Sequence, residues 1–319
     1  MTTAHAPGKI ILFGEHAVVY GRPAIAVPVS QVQATAEVVD ADRPGVWIQA
    51  PDIRLRARLD DLSPANPLAA AVQATLAALQ IDPPPSLQID IHSTIPVAAG
   101  LGSGAAVSVA LIRALSAHLG RPLPDERVSE LAYAVEKLHH GTPSGIDNTV
   151  IAQARPVCFV RGRPIETLQV GAPFTLVIGD TGVHASTRDS VAAVRSLWEA
   201  EPRRWEAVFE RIGGLALQAR RALEQGDTAA LGPLMDANHA LLQELTVSSP
   251  ELDRLVLAAR RAGASGAKLS GGGRGGNMIA LVTARTAQPV REELLAAGAV
   301  RALVTRVARG EDGEPMGNG

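Results

Sequence analysis

The sequence is poor in aromatic side chains, has a single cysteine and contains no long uninterrupted apolar run. Phe, Trp and Tyr make up 3% of its 319 residues. The core must therefore be assembled from Ala, Val, Leu and Ile, and there is little material for the stacking surfaces that hold single-stranded nucleic acid. Cys158 has no partner within the chain, which excludes an intramolecular disulfide, and no Cys/His cluster has zinc-site spacing. A buried thiol is expected there. No apolar stretch reaches the roughly 20 residues that span a bilayer, and residues 1–6 show no charged segment leading into an apolar one. The expectation is a cytoplasmic protein that is not membrane-bound. An excess of either charge is also missing: 30 Lys and Arg against 32 Asp and Glu leave −2. That argues against a broad nucleic-acid surface while leaving room for a local basic groove.

What is present is the composition of a folded, soluble chain, with 46% hydrophobic and 19% charged residues. The length suits two domains. The first half reads as alternating strands and helices. An apolar strand is expected from Gly8 to Phe13, with β-branched or alternating runs at 23–28, 31–39 and 46–57. A helix is expected over 66–79, a strand over 87–93, and helices over 103–118 and from Asp125 to His139. The composition shifts near Val170. Beyond it the pattern predicts a strand at 174–179, three long helices within 188–262, and a loop-to-strand passage over 268–282. A helix at 284–297 and a strand at 302–307 follow, and then a flexible polar tail, 310–319. The reading is α+β in two domains, 1–170 and 171–309, with a cleft between them.

One segment suggests chemistry at once. Pro96-Val-Ala-Ala-Gly-Leu-Gly-Ser-Gly-Ala-Ala106 lies between the strand at 87–93 and the helix at 103–118. Glycines there let backbone N–H groups approach an anion, and the helix start adds the positive end of its dipole. Ser103 supplies a hydroxyl suited to a phosphate-bound metal. The loop is not a Walker A sequence, since no Lys-Ser or Lys-Thr follows the last glycine, nor Gly-x-Gly-x-x-Gly, since residue 105 is Ala. Two more segments stand out. Pro7-Gly-Lys-Ile-Ile-Leu-Phe-Gly-Glu-His16 sets Lys9, Glu15 and His16 at the two ends of a short apolar strand. Lys268-Leu-Ser-Gly-Gly-Gly-Arg-Gly-Gly276 runs straight into the apolar strand that starts at Asn277.

These three segments resemble, in order, the three motifs of the GHMP kinase superfamily, and the likeness extends from Pro7 to Leu281. A fourth, Glu136-Lys-Leu-His-His-Gly-Thr-Pro-Ser-Gly-Ile-Asp-Asn148, looks like the signature of its mevalonate kinase members. The resemblance implies the two-domain GHMP kinase fold. In it a ribosomal protein S5 domain 2-like N-terminal domain is followed by a ferredoxin-like, helix-rich C-terminal one. It further implies ATP-dependent phosphorylation of (R)-mevalonate to 5-phosphomevalonate in isoprenoid precursor synthesis, with Mg²⁺ and as a homodimer.

Residue by residue, the resemblance makes Asp147 the catalytic base and Lys9 the cation that polarises the hydroxyl and keeps that aspartate ionised. Glu136 and Ser103 match the residues beside Mg²⁺. ATP is assigned to Pro96, Ala99, Gly100, Leu101, Gly102, Ser103, Gly104, Ala105 and Gly272, and the acceptor to Lys9, Glu15, His16, Asp147 and Thr187. Simpler readings stand beside these: a helix N-cap for Asp147, a surface carboxylate for Glu136, structural roles for His139 and His140, and a surface arginine for Arg188.

Two departures are visible. Gly104 stands where many relatives have a second serine, which leaves Ser103 as the only hydroxyl of the loop and implies weaker metal binding at most. Arg274 interrupts a run of small residues. The alternatives are another GHMP kinase, acting on phosphomevalonate, homoserine or a sugar, or a binding-only sensor. Gly14-Glu-His-Ala-Val is not the Gly-Arg-x-Asp segment expected of a galactokinase, and a sensor would be expected to have lost Asp147, Lys9 or Glu136.

Overall fold

Strand β1 (Thr2–Phe13) begins six residues before the apolar run. Its polar first part needs no apolar side chains, because it pairs through backbone with the far end of β2 (Ala24–Asp40), Thr2 opposite Val38 and Phe13 opposite Ile25. The two alternating runs expected at 23–28 and 31–39 are thus one strand. The run at 46–57 folds back on itself as β3 (Val46–Ala50) and β4 (Leu55–Arg58), turned by the short 3-10 segment Pro51–Ile53. Strand β5 (Leu87–Ser93) lies between β3 and β2, and β6 (Val157–Phe159) and β7 (Glu166–Thr167) extend the sheet beyond β2.

The computed structural model describes residues 1–96, 99–140 and 144–308, with residues 139 and 140 described by backbone alone. The expected flexible tail at 310–319 lies outside them, as do the side chains of His139 and His140.

Four helices cover the first sheet: α1 (Pro67–Ala78), α2 (Ser103–His118), α3 (Asp125–His140) and α4 (Ile146–Gln153). Asn66 caps α1 by accepting from the N–H groups of Leu68 and Ala69. Helix α2 packs on β1, β2, α1, α3 and α4. That explains why it is apolar nearly all round, with Ala106, Val109, Ala110, Leu111, Ile112, Ala114 and Leu115 buried. The four phenylalanines are all buried, in a core otherwise dominated by aliphatic residues, and Cys158 is a buried free thiol.

The second sheet joins β8 (Phe174–Asp180), β9 (Gly266–Ser270), β10 (Asn277–Val282) and β11 (Arg301–Val307) in the order β11-β8-β10-β9, antiparallel throughout. This is the ferredoxin-like arrangement. Among the described residues four helices, not three, fill its first crossover: α5 (Thr187–Ala200), α6 (Pro202–Gln225), α7 (Thr228–Glu244) and α8 (Pro250–Arg261). Pro202 opens α6 directly after α5, Gly226 closes α6 in the left-handed conformation, and Ser249-Pro250 starts α8. Helix α9 (Ala287–Ala296) forms the second crossover. Lys268 lies on β9, not in a loop as the glycine run after it suggested, since the hairpin turn starts only at Gly271.

The two sheets meet where the segment between β1 and β2 enters the second half. Ser270 Oγ donates to the Ile11 carbonyl at 2.7 Å. Tyr20 stacks on Phe209 of α6 with ring centres 4.1 Å apart. Arg22 bonds Glu206 at 2.5 Å and approaches Glu210 at 3.5 Å.

Candidate active site

The glycine-rich loop ends in an uncapped helix start. Gly100 and Gly102 have φ of +74° and +75°, and Gly102, at the N-cap of α2, has no side chain to accept from the first-turn N–H groups. Those donors are left for another acceptor. Gly102 is also required sterically, because a Cβ there would lie 2.9 Å from Cγ of Lys9. The loop is fixed on two sides: Lys9 N–H donates to the Leu101 carbonyl at 2.9 Å, and the buried Asn277 side chain donates to the Ala99 carbonyl. Pro96 and Ser103 are half-buried, Ala99, Leu101 and Ala105 are buried, and Gly104 is exposed. A Cβ on Gly104 would meet nothing within 4 Å.

Beside this loop stand Lys9, Asp147 and Glu136. Lys9 Nζ lies 3.1 Å from Asp147 Oδ1, the two side chains being 10% and 27% exposed. Asp147 is not an N-cap. Gly145 holds that position on α4 and Asp147 falls in the first turn, where the helix dipole favours a carboxylate. The turn is anchored by Asn148, which donates to the Ser129 carbonyl at 3.1 Å and to Ser129 Oγ at 2.8 Å. Burial, with the Asp147 charge adding to it and Lys9 opposing it, lifts the Glu136 carboxyl to about 7. Glu136 is therefore no surface carboxylate. Its Oε2 is buried and without a hydrogen-bond partner. No cluster of three or more His, Cys, Asp or Glu suited to a metal occurs among the described residues. An orphaned carboxylate oxygen whose charge is raised in cost by a second carboxylate still fits a cation held mainly by phosphate oxygens and water.

A second cluster is built across the two sheets. Lys268 Nζ bonds Glu15 Oε1 and donates to the Leu269 carbonyl at 2.7 Å. The side chains of this pair are 0% and 1% exposed. Burial pushes the Glu15 carboxyl up and the Lys268 ammonium down, and each partner's charge pulls the other back. His16, with φ of +61°, donates from Nε2 to the Gly272 carbonyl at 3.0 Å. A carbonyl only accepts, so the neutral ring carries its proton on Nε2 and leaves Nδ1, buried and without a partner, as an acceptor. Burial lowers the His16 pKa to about 4. Gly272 packs against Thr187, the first residue of α5: a Cβ on Gly272 would lie 3.0 Å from Thr187 Oγ1. Thr187 and Arg188 are exposed. Arg274 is exposed as well, with φ of +60° and its N–H on the Val247 carbonyl at 2.6 Å.

The residues expected from sequence therefore fall into two groups, one around Lys9 of β1 and one around the segment that follows β1. Lys9, Asp147 and Glu136 gather beside the loop, while Glu15, His16, Gly272 and Thr187 gather where the two sheets meet. Residues 97, 98 and 141–143 of the motifs lie outside the described ones. Sequence reasoning passed over the lysine opposite Glu15 and the asparagine that holds Ala99. Their only signal was position, Lys268 and Asn277 flanking the second glycine run.

The model of the GHMP kinase N-terminal domain matches residues 66–154 and that of the GHMP kinase C-terminal domain residues 219–300. A mevalonate kinase of Pyrococcus horikoshii is 38% identical over 96% of this chain and 95% of its own length, and one of Pyrococcus abyssi is 36% identical over 97% and 96%. Among solved structures, the L. major mevalonate kinase in complex with R-mevalonate superposes with a TM-score of 0.84 at 31% identity, covering 97% of each chain. A Lactococcus lactis galactokinase complexed with galactose has a TM-score of 0.72 at 17% identity, which speaks for the shared fold alone. From the glycine loop on its uncapped helix to the length of these matches, the conclusion is that the chain belongs to the mevalonate kinase family of the GHMP kinases.

Proposed function

We propose that this enzyme transfers the terminal phosphoryl group of ATP to the primary alcohol of (R)-mevalonate, giving ADP and 5-phosphomevalonate for isoprenoid precursor synthesis. The observation that carries the reading is the Lys9–Asp147 pair at 3.1 Å, whose lysine lies on the strand that holds Leu101 of the glycine loop through its backbone. Phosphoryl transfer asks the protein chiefly for positioning and charge stabilisation.

In this reading Asp147 accepts the proton of the attacking hydroxyl, and Lys9 donates to that oxygen and offsets the charge that develops on it. The backbone N–H groups at the head of α2 hold phosphate oxygens, and Ala99 to Ala105 line the nucleotide. Mg²⁺, when bound, neutralises charge on those phosphates, and Glu136 with Ser103 would hold it. Glu15, His16 and Thr187 form the acceptor side, His16 Nδ1 and Glu15 Oε2 being acceptors available to a hydroxyl. Gly272 fits this side as much as the nucleotide. A homodimer in the cytoplasm belongs to the same reading on the family likeness alone.

A coupled ADP-release assay with mevalonate, phosphomevalonate, homoserine and galactose tests it. Mevalonate is expected to give the highest kcat/KM. Preference for another acceptor would contradict the substrate and leave ATP-dependent phosphoryl transfer standing.

A further inference from the structure

The acceptor cluster rests on a contact that the reaction itself does not use. His16 has φ of +61° and ψ of −49°, the centre of a γ-turn closed by the Ala17 N–H on the Glu15 carbonyl at 2.7 Å, a strained conformation that persists only where its surroundings enforce it. Besides the local backbone bonds of the turn, two side-chain contacts come from the β9–β10 hairpin of the other sheet: Lys268 on the carboxylate of Glu15, the preceding residue, and the His16 ring on the Gly272 carbonyl. The hairpin is in turn tied to β1 by Ser270 on the Ile11 carbonyl, and to the nucleotide loop by Asn277 on the Ala99 carbonyl. Lys268 has spent its charge wholly inside the protein, on Glu15 and on the Leu269 carbonyl, with no exposed surface. Among the described residues, Glu15 Oε2 and His16 Nδ1 are two of the buried atoms without a side-chain hydrogen-bond partner, and both belong to residues this hairpin holds.

We infer that Lys268 is a positioning residue for the acceptor: it fixes Glu15, and through Glu15 the strained His16, so that their two free acceptor atoms face the acceptor's hydroxyl groups in one arrangement. The inference rests on the proposed placing of Glu15 and His16 in the acceptor pocket. It distinguishes acceptor binding from nucleotide binding, because the Lys268 side chain bonds only Glu15 and the Leu269 carbonyl, while the nucleotide loop is held by Lys9 N–H from β1 and by Asn277 at the far side of the hairpin turn.

The test measures KM for mevalonate and for ATP separately, together with thermal melting, in His16→Ala, Lys268→Met and the double variant Glu15→Gln/Lys268→Met. The double variant removes both charges at nearly constant volume, so it should fold even where the single one, leaving a bare buried carboxylate, does not. The expected result is a mevalonate KM raised about tenfold or more in every folded variant, on the scale of a small misplacement of binding groups. The ATP KM should change by less than about threefold, and the double variant should be no worse than Lys268→Met, because the two residues act as a unit. If the Lys268 variants lose only thermal stability, or raise both KM values together, Lys268 is structural and the inference is overturned while the pocket stands. An unchanged mevalonate KM in His16→Ala as well would overturn the pocket reading and the inference with it.

Discussion

Among the described residues two lysine–carboxylate pairs involve β1 and the segment that follows it, and they are opposites. Lys9 and Asp147 keep 10% and 27% of their side chains exposed and sit 3.1 Å apart. Lys268 and Glu15 keep 0% and 1% and are sealed between the two sheets. A charge pair that reacts must admit its substrate and remain free to exchange a proton. One that positions must not be wetted, because water would loosen it and weaken the field that holds it. The first pair joins β1 to α4 within the first region beside an uncapped helix start, whereas the second joins β9 of the second sheet to the segment that follows β1. The difference in burial, more than the identity of the residues, assigns their work.

The comparison is sharpened first by removing each lysine. Lys9→Met is expected to lower kcat by roughly two orders of magnitude, the scale of one positioned electrostatic group, while costing less stability than Lys268→Met, since the Asp147 it leaves behind is 27% exposed to water. Lys268→Met should cost about 3–5 kcal/mol by urea unfolding because Glu15 is left buried and bare. Equal stability losses in the two variants would dissolve the distinction.

Acid should attack the sealed region by a different route. His16 and His239 are both held near 4 by burial, His239 with its Nδ1 on the Leu269 N–H and its Nε2 3.2 Å from Asp253. Their folded pKa values lie below the ordinary 6.5, so the unfolded chain takes up protons first as the pH falls. The stability they contribute is complete above about 6.5 and is lost as the pH drops toward 4, up to roughly 3 kcal/mol for each. Glu136, lifted to about 7, works in the opposite sense, favouring the fold below its ordinary 4.5 and losing that contribution as the pH rises through 7. The slope of unfolding free energy between pH 6.5 and 4 is therefore expected to steepen in Glu136→Gln and to flatten in His239→Gln. The smallest effect is expected at Gly104→Ser. A Cβ there meets open space, so stability should move by no more than about 0.5 kcal/mol in thermal melts. A larger loss would mean that the loop is closed over that position.

How far the sequence carried depends on distance along the chain. The elements at 87–93 and 103–118 could be read residue for residue, because β-alternation and a glycine boundary are local signals. Lys9 and Asp147 were legible as a pair only through the motifs that contain them. The Lys268–Glu15 contact was not legible, since it joins residues 253 apart and nothing near Lys268 marks it as a strand residue facing a carboxylate. The helix count failed at the α5–α6 junction, where helical composition runs on across Glu201 and only Pro202 marks a start. A helix cap was the simpler alternative for Asp147, but Gly145, free to adopt φ of +83°, takes that place and leaves the carboxylate in the first turn.

The rest depends on the chemical role of the Lys9–Asp147 pair, and Asp147→Asn tests it most directly. With saturating ATP and mevalonate, the variant should fold as stably as the parent to within about 1 kcal/mol, yet turn over at least about a hundredfold more slowly, the scale of a lost general base. Turnover close to the parent's would contradict the assignment of Asp147 as the group that takes the proton.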